Sequence, residues 1–304
     1  MEFSSIPAST KQIHFYKYQG AGNDFILLDN RNQDYSALSY QQIALLCDRR
    51  FGIGADGFML LEKHENYPFC MSFFNSDGMP GSMCGNGGRC ICAFAKDLGI
   101  VGDTMFKFWS SDGEHEGTIL SKLGNQYLVR LKMRDVSLYA KQEGNEIYLI
   151  DSGSPHYISF VEDCDSIDVV KEGKKIRFSK DFPHGVNVNF VEQQASGLKV
   201  RTYERGVEDE TFSCGTGVTA SSMAFALKEN LGTGHHTVNL STKGGNLQVD
   251  FLLNQAPASV LKSLPVDENP APRHFKIQHN MVFSQVHLEG LATFVFEGDI
   301  QIGF

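Results

Sequence analysis

The apolar residues of this chain fall mainly in short runs rich in β-branched and aromatic residues, and Gly, Asn and Asp separate these runs. Such a pattern predicts β-strands bounded by turns. Clear examples are FILLD at 25–29, QYLVRL at 126–131, NVNFVE at 187–192 and FVFEGDIQI at 294–302. The chain is therefore predicted to be rich in sheet along most of its length.

Three segments have a helical pattern instead. One is SYQQIALLCDRR at 39–50, where Ser39 is suited to cap the N-terminus of a helix. The other two follow glycine-rich turns, and both contain the sequence Ala-Phe-Ala. We therefore predict three helices.

The two glycine-rich turns belong to an internal duplication. Residues 72–99 and residues 200–232 share one order of features: a strand, a polar pair, a flexible turn, the sequence Cys-Gly-x-Gly, and a helix. Gly99 and Gly232 are predicted to close the two helices, because both positions suit a left-handed residue after the C-cap. The repeat predicts two similar halves, each with one equivalent cysteine, that are related by a pseudo-twofold axis.

Length and charge narrow the classes of function. The chain has 304 residues, enough for two domains with a sizeable core, and its 27 basic and 36 acidic side chains give a net charge of −9. Binding of nucleic acid needs a basic surface, which argues against that class of partner. No apolar run reaches the roughly 18 to 20 residues of a membrane span, and the first residues lack the pattern of a signal peptide. We expect a soluble, cytoplasmic protein that does not act at a membrane.

Two regions are predicted to be peripheral. Residues 1–10 are expected to form a frayed tail. Residues 253–282 hold four of the nine prolines, and we predict that they form a surface insertion. We expect no chemistry in either region.

Two of the seven cysteines stand out from the rest. An odd number of cysteines does not suit a secreted disulfide framework, so we expect reduced thiols. Cys90 and Cys92 are predicted to lie in the core, and together with Cys84 they have the wrong spacing for the common zinc patterns. Cys84 and Cys214 each stand where a helix should begin. There the helix dipole can lower the pKa of a thiol from about 8.5 to roughly 3.5–7.5.

The same helix starts are suited to bind a carboxylate, because backbone N–H groups point at it. If both starts meet at one cleft, a thiol lies on either side of a bound α-carbon. One thiolate can then remove the α-proton while the other cysteine, as a thiol, delivers a proton to the opposite face. This scheme needs no pyridoxal phosphate, so we expect no cofactor and no metal. The glycines that would leave room for the ligand are Gly85, Gly87, Gly215 and Gly217.

With these motifs the chain resembles the diaminopimelate epimerase family. The resemblance covers residues 13–304 apart from the region near 253–282. The matching motifs, in the order of the family, are GAGNDF at 20–25, RRFGIGADG at 49–57, FFNSDG at 73–78, MCGNGGRC at 83–90, SGSPH at 152–156, GVNVNF at 185–190, YERGVEDET at 203–211 and SCGTG at 213–217.

The resemblance implies an α/β fold of the α+β kind. It has two pseudo-symmetric domains, each a curved, mostly antiparallel sheet around a central helix. We expect residues 11–128 with 290–304 to form the N-terminal domain that carries Cys84, and residues 129–289 to form the C-terminal domain that carries Cys214. The implied reaction is a cofactor-independent, two-base interconversion of L,L-diaminopimelate and meso-diaminopimelate in lysine and peptidoglycan biosynthesis. The resemblance leaves open whether the chain forms a homodimer.

The resemblance also implies roles for individual residues. Cys84 and Cys214 match the two catalytic thiols. His156 matches a position that assists one thiol, and Glu204 is expected to assist the other. The positions that match the binding site of the reacting carboxylate are Gly85, Asn86, Gly215 and Thr216. The positions that match the binding site of the distal end are Asn75, Asn187 and Arg205, with Asn23 and Glu204 nearby. This set is chemically reasonable, because Arg can bind a carboxylate with two hydrogen bonds and Asn or Glu can accept from an ammonium group.

Three features depart from the family pattern. Many members have Gln where this chain has Gly57, and Asn where it has Ser154. The segment after Arg205 is also one residue longer. We expect the two substitutions to change contacts near the substrate, with water or Ser154 itself supplying the hydrogen bonds, and to leave the two-thiol chemistry intact.

Two other functions fit part of the pattern. A related two-thiol racemase could act on proline or hydroxyproline, but a compact imino acid has no second carboxylate to engage Arg205. A redox-sensing or ligand-binding module could join Cys84 and Cys214 in a reversible disulfide, but it would not need paired anion sites at helix starts. Even in an epimerase, two such thiols could oxidise to an inactive disulfide.

Overall fold

The computed structural model describes residues 10–81, 83–256 and 271–303. The chain divides into two compact units. Unit 1 comprises Met1–Val129 with Leu291–Phe304, and unit 2 comprises Arg130–Gly290. Each unit has its own largely buried central helix, Gly85–Asp97 in unit 1 and Gly215–Lys228 in unit 2.

Unit 1 contains two helices and most of the strands that precede residue 130. Its elements are β1 Thr10–Gly20, β2 Asn23–Asp29, α1 Tyr40–Cys47, β3 Gly57–Glu62, β4 Cys70–Asn75, α2 Gly85–Asp97, β5 Phe106–Ser110, β6 Gly113–Leu123 and β7 Gln126–Lys132. The last strand, β17 Met281–Gly303, begins in unit 2 and ends in unit 1.

Unit 2 contains the other two helices. Its elements are β8 Tyr139–Gln142, β9 Ile147–Asp151, β10 Pro155–Val161, α3 Val169–Arg177, β11 Asn187–Gln194, β12 Gly197–Glu204, β13 Asp209–Thr211, α4 Gly215–Lys228, β14 Gly234–Thr242, β15 Gly245–Gln255 and β16 Phe275–Gln278.

The strand pairing repeats from one unit to the other. In unit 1, α1 connects the parallel pair β2 and β3, and α2 connects the parallel pair β4 and β5. In unit 2, α3 connects the parallel pair β10 and β11, and α4 lies between the parallel strands β12 and β14. The pairs β3–β4, β5–β6, β11–β12 and β14–β15 are antiparallel. This matching order confirms the duplication seen in the sequence and the predicted α/β fold class.

The helix that follows each Cys-Gly-x-Gly motif is enclosed by its own unit. Every residue from Gly85 to Ala95 of α2 is buried, and this helix contacts β1, β2, β3 and β6. Helix α4 is also largely buried, and it contacts β9, β10, β11, β12 and β15. Helix α4 accordingly lacks the one-sided apolar stripe that is typical of a surface helix.

Both central helices end in the same hydrogen-bond pattern. Gly99 follows α2 with φ +69°, and the N–H of Ile100 donates to the carbonyl of Ala95 at 2.9 Å. After α4 the left-handed residue is Asn230 with φ +51°, so the prediction that Gly232 closes this helix is wrong. Asn tolerates this conformation because its short polar side chain can bond locally.

The other two helices differ in how well the sequence predicts them. Helix α1 begins after Ser39, whose side chain forms the predicted cap in a reciprocal pair with Gln42. Helix α3 was not predicted, because it has only nine residues and one of its two buried positions is Gly173, a poor helix former. A Cβ at Gly173 would lie 2.3 Å from Tyr203 Cβ, so the helix packs closely through its glycine. No helix in the described ranges is long and apolar enough to cross a membrane.

The regions predicted to be peripheral are described only in part. Residues 1–9 of the predicted tail, and residues 257–270 of the predicted insertion, lie outside the described residues. The rest of the 253–282 region contains paired strands. Strand β16 pairs with β8, and Val282 at the start of β17 pairs with Asn254 at the end of β15. Phe275 in β16 is buried.

Candidate active site

Cys84 is the N-cap of helix α2. Its backbone is extended, with φ −102° and ψ 138°, and its Sγ accepts a hydrogen bond from the N–H of Gly87 at 3.5 Å. The carbonyl of Cys84 accepts from the N–H of Gly88 at 2.7 Å, which begins the helical ladder. The sulfur thus occupies the place of a capping oxygen at the positive end of the helix dipole, as the sequence predicts.

A buried cation lies one turn into the same helix. Arg89 is fully buried, and its Nη1 donates to the carbonyl of Gly85 at 3.2 Å while its Nη2 donates to Oδ1 of Asn86 at 2.8 Å. Burial lowers the pKa of Arg89, and its charge interacts with Cys90 and Cys84. Within the described part of the chain, Arg89 forms no ion pair with a carboxylate, and its Nε has no hydrogen-bond partner. This guanidinium holds the predicted binding residues Gly85 and Asn86 and favours negative charge near the Cys84 sulfur.

Cys214 is the N-cap of helix α4 and has different neighbours. It is buried, with φ −117° and ψ 114°, and its carbonyl accepts from the N–H of Val218 at 3.0 Å. The Cys214 sulfur lies 3.5 Å from the hydroxyl oxygen of Thr216. The hydroxyl of Ser152, in the turn between β9 and β10, donates to the carbonyl of Thr216 at 2.8 Å. The start of α4 is therefore tied to the turn that leads into His156.

His156 reaches Cys214 through Thr216. Its Nε2 lies 2.9 Å from the Thr216 hydroxyl, and its Nδ1 lies 3.0 Å from Nδ2 of Asn189. Strands β10 and β11, which carry His156 and Asn189, pair in parallel beneath α4. Burial, followed by the positive charge of Arg205, lowers the pKa of His156 to about 3. The imidazole is therefore neutral near pH 7. Its Nε2 contacts the hydroxyl of Thr216, which in turn lies near the Cys214 sulfur.

The second glycines of the two motifs have unlike surroundings. A Cβ built on Gly87 would meet only ordinary contacts, the nearest being Met59 Sδ at 3.4 Å. A Cβ built on Gly217 would lie 2.5 Å from Asn189 Oδ1 and 3.3 Å from His156 Cε1. Room for a ligand is therefore an incomplete explanation of Gly217, because the protein's own side chains already fill the space beside it.

The residues predicted to bind the distal end of a substrate cluster in part within unit 2. Asn187 Nδ2 donates to the Ser154 hydroxyl at 2.7 Å and to the Pro155 carbonyl at 3.1 Å. Its Oδ1 accepts from the backbone N–H of Arg205 at 2.8 Å. The Arg205 side chain is exposed, and its Nη1 donates to the carbonyl of His184 at 3.3 Å. The Ser154 side chain thus orients Asn187, while the guanidinium of Arg205 faces solvent.

Glu204 precedes Arg205 at the end of β12. Burial raises the pKa of the Glu204 carboxyl above its ordinary value. A carboxyl with a raised pKa is suited to exchange protons closer to neutral pH than an exposed one. The predicted role of Glu204 beside a thiol stays a prediction.

Asn23 and Asn75 lie in unit 1. Asn23 begins β2, and its buried Oδ1 has no hydrogen-bond partner among the residues described. Asn75 ends β4 at the turn before Cys84, and it is exposed. An unpaired amide oxygen can accept from an ammonium group, which is the contact predicted for this part of the substrate.

The departure at Gly57 has a steric counterpart within unit 1. A Cβ at Gly57 would lie 3.1 Å from two ring carbons of Phe73, and a Cβ at Gly81 would lie 2.8 Å from the same ring. Phe73 is buried between these two glycines. The aromatic ring therefore fills the space where a side chain at position 57 would begin.

The remaining cysteines lie in other surroundings. Cys90 and Cys92 are fully buried, as predicted, and burial raises the pKa of both thiols. Burial also raises the pKa of Cys47 and of Cys164 to about 12. All seven cysteines are present as thiols. Among the described residues, no group of three or more His, Cys, Asp or Glu side chains could hold a metal ion.

Sequence reasoning missed Arg89 and Asn189 as parts of the site. Both lie inside quoted motifs, MCGNGGRC and GVNVNF, so the signal was present as a polar residue within a short apolar element. A buried Arg and a buried Asn need hydrogen-bond partners, and those partners are set by packing. For Asn189 the partner is a residue 33 positions away in the chain.

Comparison with known proteins finds relatives that match nearly the whole chain. The sequence profile described as diaminopimelate epimerase matches residues 15–138 and 148–261. The chain is 41% identical over 287 residues to a diaminopimelate epimerase of Flavobacterium psychrophilum, covering 94% of this chain and 99% of the relative. It is 38% identical over 291 residues to the diaminopimelate epimerase of Chlorobaculum tepidum, covering 93% and 99%.

Solved structures with the same fold are more distant in sequence. A phenazine biosynthesis protein of the PhzF family from Bacillus anthracis superposes with a TM-score of 0.70 at 12% identity, covering 95% of this chain and 99% of that one. A hydroxyproline epimerase from Agrobacterium vitis with bound trans-4-hydroxy-L-proline superposes with a TM-score of 0.66 at 12% identity, covering 98% and 95%. At such identities the likeness concerns the fold alone.

Proposed function

We propose that this chain, which belongs to the diaminopimelate epimerase family, interconverts L,L-diaminopimelate and meso-diaminopimelate. As a member of that family it is an isomerase of the epimerase class. The substrate is a small molecule, and the reaction serves lysine and peptidoglycan biosynthesis. A cytoplasmic location stays a prediction, and the question of a homodimer stays open.

One observation carries the assignment of the catalytic groups. Cys84 and Cys214 occur in equivalent motifs of a duplicated fold, and each is the N-cap of a central helix. Of the seven cysteines in the chain, these two have that position. A thiol at a helix N-terminus is stabilised as a thiolate, which makes it a suitable proton acceptor near neutral pH.

The chemistry of inversion explains why two thiols are needed. The proton must leave one face of the α-carbon and return on the other, so a single group on one face cannot complete the reaction. In our proposal one cysteine, as a thiolate, removes the α-proton, and the other, as a thiol, supplies a proton to the carbanion. The roles exchange for the reverse reaction. No cofactor takes part in this scheme.

Backbone groups at the two helix starts stabilise the developing charge. Gly85 and Asn86 occupy the first two positions of α2, and Gly215 and Thr216 occupy the same positions of α4. Backbone N–H groups there point toward the helix N-terminus and suit a carboxylate whose negative charge grows as the carbanion forms. We propose that these four positions hold the reacting carboxylate.

The far end of the substrate carries a second carboxylate and ammonium group. The exposed guanidinium of Arg205 can bind that carboxylate with two hydrogen bonds. We propose that Asn23, Asn75, Asn187 and Glu204 complete this subsite. The second carboxylate separates this substrate from proline and hydroxyproline, which have none to pair with Arg205.

Incubation of L,L-diaminopimelate with the protein in heavy water tests the proposal. We expect α-deuterium to appear together with the meso isomer. Cys84→Ser and Cys214→Ser should each slow epimerisation by about 10²-fold or more, because an alcohol is a far weaker acid than a thiol and acid–base catalysis contributes about 10²–10⁴.

Cys70→Ser is the matched control, because Cys70 is half-buried in β4 and lies at neither helix start. Its rate should stay near that of the wild type. The proposal is wrong if L,L-diaminopimelate takes up no deuterium, if proline isomers turn over faster, or if either of the other serine variants keeps the wild-type rate.

A further inference from the structure

A chain of four polar contacts in unit 2 ends at the sulfur of Cys214. It starts at Thr202, whose hydroxyl donates to Oδ1 of Asn189 at 2.9 Å. It continues from Asn189 to His156, from His156 to Thr216, and from Thr216 to Cys214, at 3.0, 2.9 and 3.5 Å. Thr202, Asn189 and His156 are all buried. Because these groups are buried, each of their polar hydrogens is expected to bond to another protein group.

The orientation of the Asn189 amide is determined by a backbone carbonyl. Nδ2 of Asn189 lies 3.2 Å from the carbonyl oxygen of Tyr157. If the amide were turned over, its oxygen would face this second oxygen, and neither could donate. The NH₂ group must therefore point toward Tyr157 and His156, and the amide oxygen must point toward the Thr202 hydroxyl.

This orientation determines the tautomer of His156. Because Asn189 donates to Nδ1, that nitrogen must be the acceptor of the neutral ring, and the hydrogen must sit on Nε2. The Nε2–H group then donates to the hydroxyl oxygen of Thr216. With its oxygen serving as acceptor, the Thr216 hydroxyl keeps its own hydrogen, and the Cys214 sulfur lies within reach of it.

We propose that Asn189 is a positioning residue that makes the Thr216 hydroxyl a hydrogen-bond donor to the Cys214 sulfur, acting through the fixed Nε2–H tautomer of His156. The donor stabilises the thiolate form of Cys214. His156 therefore does not remove the proton of the Cys214 thiol, because the lone pair of its unprotonated nitrogen, Nδ1, already accepts the hydrogen bond from Asn189. This inference rests on the proposed role of Cys214 as an acid–base group.

The environment of the ring favours this arrangement over a charged one. Arg205 is the charged group that acts on His156, and its positive charge opposes protonation of the imidazole. A Cβ at Gly217 would overlap Asn189 Oδ1, so the absence of a side chain in the first turn of α4 makes room for the Asn189 amide. Both features keep a neutral ring between Asn189 and Thr216.

The tautomer can be observed directly in the unmodified protein. In nitrogen NMR of histidine-labelled protein at pH 7, with the signals assigned by their loss in His156→Gln, Nε2 of His156 should carry the proton and Nδ1 should not. In Asn189→Asp the carboxylate accepts instead of donating, so Nδ1 should become protonated. The proposal is overturned if the wild-type His156 carries a proton on Nδ1. It is also overturned if Nδ1 stays unprotonated in Asn189→Asp.

The effect on the sulfur can be measured by alkylation without substrate. In a Cys84→Ser background, the rate of Cys214 carboxamidomethylation is followed by peptide mass mapping from pH 6 to pH 10. Thr216→Val should react about tenfold more slowly than Thr216→Ser at pH 7, which corresponds to one hydrogen bond to a charged group. The two rates should converge at pH 10, well above the ordinary thiol pKa of about 8.5.

Thr219→Val is the matched control, because Thr219 lies on the same helix and its hydroxyl donates to the Gly215 carbonyl. Its rates should match those of the unsubstituted background. Equal rates for the Thr216 variants at pH 7, a difference that persists at pH 10, or the same slowing in Thr219→Val would each overturn the proposal. Since no diaminopimelate is present, these results are independent of whether the proposed reaction occurs.

Discussion

Alanine at the second glycine of the two motifs should have opposite effects on stability. Gly87 and Gly217 occupy equivalent positions, three residues after Cys84 and Cys214, in the first turn of α2 and α4. Neither glycine has a positive φ, so alanine can adopt the backbone conformation at both. The outcome then depends on what the new methyl group meets.

The magnitude follows from two terms. Replacing a helical glycine with alanine stabilises a helix by about 0.5–1 kcal/mol. At Gly87 the nearest atoms to the methyl group lie at 3.4 and 3.6 Å, which is ordinary contact, so this gain should persist. At Gly217 the nearest atom is Asn189 Oδ1 at 2.5 Å, and Asn189 cannot turn away without leaving His156. Overpacking of this kind costs about 1–3 kcal/mol, which outweighs the gain.

Thermal unfolding followed by circular dichroism measures the difference. A change of 1 kcal/mol moves the Tm of a domain of this size by roughly 2–4 °C. We therefore expect Gly87→Ala to raise the Tm by about 1–4 °C and Gly217→Ala to lower it by a similar or larger amount. Hydrogen exchange read by mass spectrometry assigns each change to its unit, since Gly87 lies in unit 1 and Gly217 in unit 2.

The reasoning fails if Gly217→Ala is as stable as the wild type, because the position of Asn189 would then not exclude a methyl group. It fails equally if Gly87→Ala is strongly destabilised in the absence of ligand. A Gly217→Ala protein that is destabilised but keeps the Nε2–H tautomer of His156 would show that the strain is relieved elsewhere.

Three further predictions concern the stability at acid pH, the buried Arg89 and the glycine at position 57. Folding lowers the pKa of His156 from 6.5 to about 3. Between these two pH values the imidazole is protonated in the unfolded chain and neutral in the folded protein, so the free energy of unfolding decreases as the pH falls below 6.5. Urea unfolding at pH 6.5 and pH 5 should show the wild type losing about 2 kcal/mol more than His156→Gln, and parallel losses would contradict this. Arg89→Met should slow alkylation of Cys84 at pH 7 several-fold, whereas Arg89→Lys, which keeps the charge, should slow it less; equal slowing by both would remove the electrostatic explanation. Gly57→Gln should lower the free energy of unfolding by about 1–3 kcal/mol, because the new side chain meets the ring of Phe73. Phe73→Leu in the same chain should restore part of that loss. An unchanged stability of Gly57→Gln would show that the ring can move aside.

Local sequence determined the elements on which the candidate site is built. The Ser39 cap and the two Cys-Gly-x-Gly helix starts depend on a few neighbouring residues, so they could be read from the sequence and lie where predicted. The duplication could be read as well, because equivalent motifs recur in the same order. Helix α3 could not, because it is short and packs against Tyr203 through Gly173, a residue that disfavours helices.

Motif order also indicated which residues belong near each thiol, yet it did not show how they are connected. Asn187 was predicted to bind substrate, and the structure additionally ties its amide to Ser154 and to the backbone of Arg205. Arg89 looked like any charged residue of a helix, and only its complete burial makes it a fixed positive charge beside Cys84.

The sequence by itself therefore determined two thiols at two helix starts, because helix capping is a short-range property. Tertiary structure alone decided which hydrogen each buried polar atom receives. His156 and Thr216 are 60 positions apart in the chain, and they meet because α4 packs on the parallel strands β10 and β11. Packing removes water from these groups, and without water each donor must find one particular acceptor.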